Sequence, residues 1–138
     1  MSMNADQSDL DIQRILRAEI RALKERHALE ITLIHAMYAI ADNGPADGQP
    51  SVKRQTEILA QCPLFDADWY DETYPAYAKS GMSAAQHYVC AGAFAGHNPG
   101  PDFDTMAYYL ANPDVAQAGW PALVHYLEVG QSEGRTLV

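Results

Sequence analysis

The sequence predicts an all-α protein in which a long N-terminal helix leads through a short helix into two tandem helical repeats. Three observations predict it. Residues 65–101 and 103–138 align at a fixed offset of 38 with no gaps and eleven identities, among them Phe65/Phe103, Tyr70/Tyr108, His87/His125, Tyr88/Tyr126, Gly92/Gly130 and Gly96/Gly134. A period of this size marks a supersecondary unit whose apolar face is completed by a neighbour. Upstream, no proline or glycine interrupts residues 8–42, and apolar residues recur there at helical spacing. Within the repeats, the segments between breakers are too short for strands to intervene.

The organisation reads as an arm at 1–42, a linker and short helix at 43–63, and the repeats at 64–138. Ser8 or Asp9 is the expected N-cap of the arm, and Asn43-Gly44-Pro45 its stop. Such a helix is a rod of roughly 50 Å, longer than a small domain is wide. Ile12, Leu16, Ile20, Leu23, His27, Ile31, Ile34 and Tyr38 form one stripe, with an average spacing nearer an eleven-residue period than a heptad. From Leu29 to Ala41 the segment is apolar almost all round, which predicts burial by more than one neighbour. The expectation is therefore divided: Leu29–Ala41 packs on the repeats, and the stripe of Ile12, Leu16, Ile20 and Leu23 contacts a partner, most simply a second copy. His27 and His35 are read as interfacial, without a third ligand at metal spacing.

After the turn-rich Asn43–Pro50 connector, Ser51 should cap a short helix through Gln61, with Ile58 and Leu59 inward. Each repeat then opens on Phe-Asp. Asp66 and Asp104 are natural N-caps of helices at 67–73 and 105–111, and the preceding phenylalanines stand at the hydrophobic-staple position. Pro75 and Pro113 can start a second turn of helix, which Gly81 and Gly119 end. A longer helix is expected at 83–91 and 121–129, closed by Gly92 and Gly130, with Gly96 and Gly134 in a final turn.

Composition narrows the function. An apolar fraction of 48% suits a globular chain, and the formal charge is −9. Residues 43–138 carry eleven acids and four bases, a balance that disfavours nucleic acid and anionic membrane surfaces. No apolar run approaches the ~20 residues of a membrane span, and the opening residues lack the order of a secretory signal. A cytoplasmic protein is expected. Cys62 and Cys90 form no CxxC and read as small apolar residues.

Candidate chemistry is sparse. His87 and His125 each sit beside a tyrosine on an apolar helix face. They read first as structural histidines, bonded to a backbone carbonyl or the neighbouring unit. Ligand binding through His87, His125, Trp69, Trp120 and Arg135 is the alternative. The acids Asp66, Asp68, Asp71 and Glu72 lack the alternating ligands and central glycine of a calcium loop. There is no P-loop, GxSxG, GxGxxG or HExxH. No catalytic residue, metal site or cofactor is expected, and an enzyme would require His87 and His125 to converge on a pocket with an acid from elsewhere.

The second copy carries Phe103-Asp104, Tyr108-Tyr109-Leu110, Asn112-Pro113-Asp114-Val115, Ala118-Gly119, Leu123, His125-Tyr126, Gly130 and Glu133-Gly134-Arg135. This pattern resembles a widespread bacterial repeat found beside glycosyltransferase and rhamnan-synthesis-type domains, and in some large secreted calcium-binding proteins. The resemblance covers residues 103–136 and is weaker over 65–101, where Tyr74-Pro75-Ala76-Tyr77 replaces Asn-Pro-Asp-Val and Gly96-His97 replaces Gly134-Arg135. It implies a setting in surface-polysaccharide synthesis, with a glycan or a glycosyltransferase as partner, and no activity. The sequence therefore reads as a non-catalytic interaction or scaffold protein that forms a homo-oligomer through its arm. A carbohydrate-binding accessory module, displaying Trp69, Tyr74, Tyr77, Tyr109 and Trp120, is the second reading.

Overall fold

The computed structural model describes the backbone of residues 3–137 and the side chains of 6–137. Residues 1 and 2 of the arm and Val138 of the second copy lie outside the described residues. The chain is all-α: α1 (Met3–Asn43), α2 (Val52–Ala60), α3 (Ala67–Thr73), α4 (Ala84–His87), α5 (Thr105–Ala111), α6 (Pro113–Gln117) and α7 (Ala122–His125). The only extended pairing among the described residues is an isolated bridge between Gly100 and Phe103.

The 41 residues of α1 make a rod of about 60 Å. Ser8 and Asp9 do not cap it. The helix begins at Met3, and both residues lie inside its first turns. Nothing ahead of Ser8 breaks a helix, and Met, Ala and Gln favour one, so the preference of Ser or Asp for a cap does not halt propagation. The all-round burial expected for Leu29–Ala41 is also absent. Leu29 and Leu33 are buried, and Ala36, Met37 and Ile40 pack beside them, but Ile31, Ile34 and Tyr38 remain exposed. The repeats present one surface to α1, mainly through α6 and the turn at Tyr88–Gly92, and a straight helix can bury only a stripe against one surface.

The local signals in the repeats act as their chemistry dictates. Ser51, Asp66 and Asp104 accept backbone N–H bonds from Arg54, Trp69 and Ala107 at 3.2, 3.0 and 2.9 Å. Phe65 reaches Tyr70, and Phe103 reaches Tyr108, with ring centroids 6.0 and 5.5 Å apart. These are staples between the residue before the cap and the fourth helical position. Pro75 opens a 3₁₀ turn (Pro75–Ser80), and Pro113 opens α6. Gly81 and Gly119, at φ 78° and 75°, end them in the left-handed conformation that an L side chain resists.

Gly92 and Gly130 behave otherwise. They do not close their helices. α4 and α7 each widen into a π-helical turn, Tyr88–Gly92 and Tyr126–Gly130, closed by i→i+5 bonds from Ala93 to Tyr88 at 3.0 Å and from Gln131 to Tyr126 at 2.9 Å. The left-handed glycines are Gly96 and Gly134, four residues later. The repeats join through Tyr88, whose buried hydroxyl lies 3.0 Å from Thr105 Oγ1 and accepts the Leu123 N–H at 3.3 Å. Around this junction the core gathers Leu29, Leu33, Leu59, Tyr70, Val89, Phe94, Phe103, Tyr108, Tyr109, Val115, Leu123 and Val124.

Candidate functional site

Each repeat builds the same polar device inside an aromatic shell. A tyrosine on the first helix, Tyr70 or Tyr108, lies against a histidine on the helix that follows. The hydroxyl-to-Nδ1 distances are 2.6 Å for Tyr70–His87 and 2.9 Å for Tyr108–His125. The tyrosine tips also lie against Gly92 and Gly130, where an added Cβ would overlap the hydroxyl oxygen. The π turn thus brings a bare backbone to the tyrosine while the histidine holds its hydroxyl. Wide turns of this kind recur at functional positions.

Electrostatics keep these groups neutral. Burial raises Tyr70 well above the ordinary phenol range and raises Tyr108 to about 12. Burial also lowers His87 and His125, since an imidazolium loses hydration there, and Arg135 adds to the effect on His125.

The copies diverge at the rim of the pair. In the second, Arg135 donates to Asn112 Oδ1 at 3.1 Å, to the two Asp114 carboxylate oxygens at 3.1 and 2.9 Å, and to Glu133 at 3.2 Å. This forked contact holds Asp114 below the usual carboxylate range. In the first, the residue aligned with Arg135 is His97. Its ring stacks on Tyr74 at 3.9 Å between centroids and 2° between planes, and its Nδ1 lies 3.2 Å from the Tyr70 hydroxyl. His97 is lowered by burial first and by His87 second.

The remaining candidates are dispersed. His87 and His125 each pair with the tyrosine of their own repeat, and no carboxylate lines the cleft beside His87. Trp69 is half-buried edge-on to Tyr74; Trp120 is half-buried against His125; Tyr109 is buried and donates to the Trp120 carbonyl at 2.6 Å. Tyr109 and Trp120 pack inward, so these aromatics do not lie as one open platform. Tyr77 donates to Asp71, which raises its pKa to about 12. His27 and His35 are exposed on α1, Cys62 and Cys90 are free thiols, and among the described residues no three His, Cys, Asp or Glu side chains gather as a metal site. Sequence reasoning missed His97 and the partners of both histidines. The available signal was the constant tyrosine-to-histidine separation of 17 in the two copies.

On α1, Ile12, Leu16, Ile20 and Leu23 are 52, 50, 50 and 66% exposed, and Ile31, Ile34 and Tyr38 continue the same stripe in the open. Among the described residues, no helix is long and apolar enough to cross a membrane. No family model, curated protein or solved structure matches the chain.

Proposed function

We propose that this chain is a non-catalytic assembly module that self-associates through α1 and presents its two repeats from the resulting rod. The observation that carries this reading is the exposed stripe from Ile12 to Tyr38, which the repeats leave uncovered on the face opposite their own contact. A monomer would hold seven large apolar side chains at helical spacing in water. Covering them is worth on the order of 1 kcal/mol each.

A second copy is the occupant that the flanking charges favour. Glu19 and Lys24 lie on opposite sides of the stripe, so two copies packed along it can set unlike charges against each other. The resemblance of residues 103–136 to repeats of polysaccharide pathways supports placing the assembly beside surface-glycan synthesis, with a glycosyltransferase as a further partner.

The test is the mass in solution. Leu16→Glu with Leu23→Glu should lower the mass found by light scattering to that of one chain and leave the helical circular-dichroism signal of the repeats intact. A wild-type chain that is monomeric at high concentration, or a double variant of unchanged mass, would reject the reading.

A further inference from the structure

The two repeats differ most where the second is sealed. Asn112, Asp114, Glu133 and Arg135 form its clasp, and the aligned residues in the first repeat are Tyr74, Ala76, Ala95 and His97. No ion pair can form there. A cleft of about 460 Å³ opens instead, walled by Thr73, Pro75 and the rings of Tyr74, Tyr77, His87 and His97.

The protons in this cleft are fixed by one hydroxyl. Tyr70 lies 2.6 Å from His87 Nδ1 and 3.2 Å from His97 Nδ1. It has a single proton to give. The assignment that fits the two distances gives the O–H to His87, at the shorter contact, and has the His97 N–H donate to the tyrosine oxygen. In that assignment His87 carries its proton on Nε2, whereas the Nε2 of His97 is bare. Among the described residues no protein group bonds either Nε2. On this assignment the two rings that line the cleft, with centroids 5.7 Å apart, carry one free donor and one free acceptor.

This pairing selects its ligand. Chelation of a metal by both rings needs two bare Nε2 atoms, which would leave the buried Tyr70 proton without an acceptor. An anion could accept from the His87 Nε2–H but would face the bare lone pair of the His97 Nε2, and burial opposes the protonation of His97 that would relieve this. A neutral ligand that accepts from His87 and donates to His97 satisfies both. We infer that the cleft binds a neutral sugar ring through adjacent hydroxyls, with its C–H face toward the aromatic walls. This does not depend on the association of α1, since the cleft lies wholly within one repeat.

Nitrogen-15 spectra of the histidine rings in the full chain provide the test, with D-glucose, D-galactose and D-mannose titrated to roughly tens of millimolar, the range of weak sugar binding. Zinc chloride and inorganic phosphate form separate arms. The expected result is an Nε2–H tautomer at His87, an Nδ1–H tautomer at His97, and a saturable shift of both rings with at least one sugar while His125 stays unmoved. The same tautomer on both rings, or a response to zinc or phosphate with none to any sugar, overturns the inference. His97→Phe keeps a ring on Tyr74 but removes the acceptor, and should weaken the response at least about tenfold. Grafting the clasp by Tyr74→Asn, Ala76→Asp, Ala95→Glu and His97→Arg should abolish it. An undiminished response in His97→Phe overturns the inference whether or not the graft folds.

Discussion

The Tyr70 hydroxyl lies where a side chain on Gly92 would begin, and Tyr108 stands in the same relation to Gly130. Each tyrosine tip is also bonded to a histidine five residues before that glycine. Three residues kept in both copies thus serve one contact. The tyrosine fills the space, the histidine satisfies its hydroxyl, and the glycine makes room.

Gly92→Ala should consequently act through overpacking rather than backbone conformation, because Gly92 lies outside the left-handed region. Displacing the buried tyrosine should cost about 1–3 kcal/mol. Removing the obstructing oxygen should restore part of the loss, so Gly92→Ala combined with Tyr70→Phe is expected to be less destabilised than the two single changes added together. Urea denaturation of the four proteins in the cycle measures this. Strict additivity would show that the glycine is retained for another reason.

The same contact shows what a sequence can disclose. Asp66, Asp104, Ser51, Pro113, Gly81 and Gly119 were legible because each acts on backbone within a few residues of itself. Gly92 and Gly130 read as helix stops for the same local reason, yet their constraint comes from a hydroxyl 22 positions earlier in the chain. His97 was readable only as the departure from Arg135. Its meaning depends on Tyr74 having replaced Asn112, since a ring that can stack takes over from an amide that accepts. On α1 the apolar stripe was plain in the spacing. How much of it the repeats would cover was not, because that depends on the shape of the body they form.

Tyr88 and Tyr126 are equivalent in sequence and unequal in place. The Tyr88 hydroxyl is buried between the repeats on Thr105 and Leu123, whereas among the described residues the Tyr126 hydroxyl has no such partner. Tyr88→Phe should cost about 1–2 kcal/mol, since a buried N–H is left unbonded. Tyr126→Phe should be close to neutral. Thermal or urea unfolding of both variants compares them directly, and equal losses would contradict a junction role for Tyr88.

Arg135 predicts a titration. Its hydrogen bonds are the largest cause holding Asp114 low, so Arg135→Ala should return the Asp114 carboxyl to the ordinary aspartate range in a carbon-13 NMR titration. The sign for stability follows from a depressed acid: the contribution is present above the unfolded-state pKa and lost as pH falls through the folded one. An Asp114 titration unchanged by the substitution would show that the forked contact does not persist in solution.

The histidines act in a separate and less acidic window. His87, His97 and His125 are all lowered from 6.5, chiefly by burial. The unfolded chain therefore takes up protons first as pH drops below 6.5, and over that interval it binds more protons than the native state. Stability rises with pH wherever the unfolded state is the more protonated. The histidine contribution should be undiminished above 6.5, decline as pH falls through the lowered folded values, and level off beneath them. The melting midpoint of the wild-type chain should accordingly be lower near pH 5 than near pH 7.5, in the direction that linkage requires. Replacing His87 and His125 with Gln should flatten that dependence, since two of the three groups no longer titrate. A midpoint that is constant or rises on acidification would mean that these imidazoles are solvated rather than held neutral by burial.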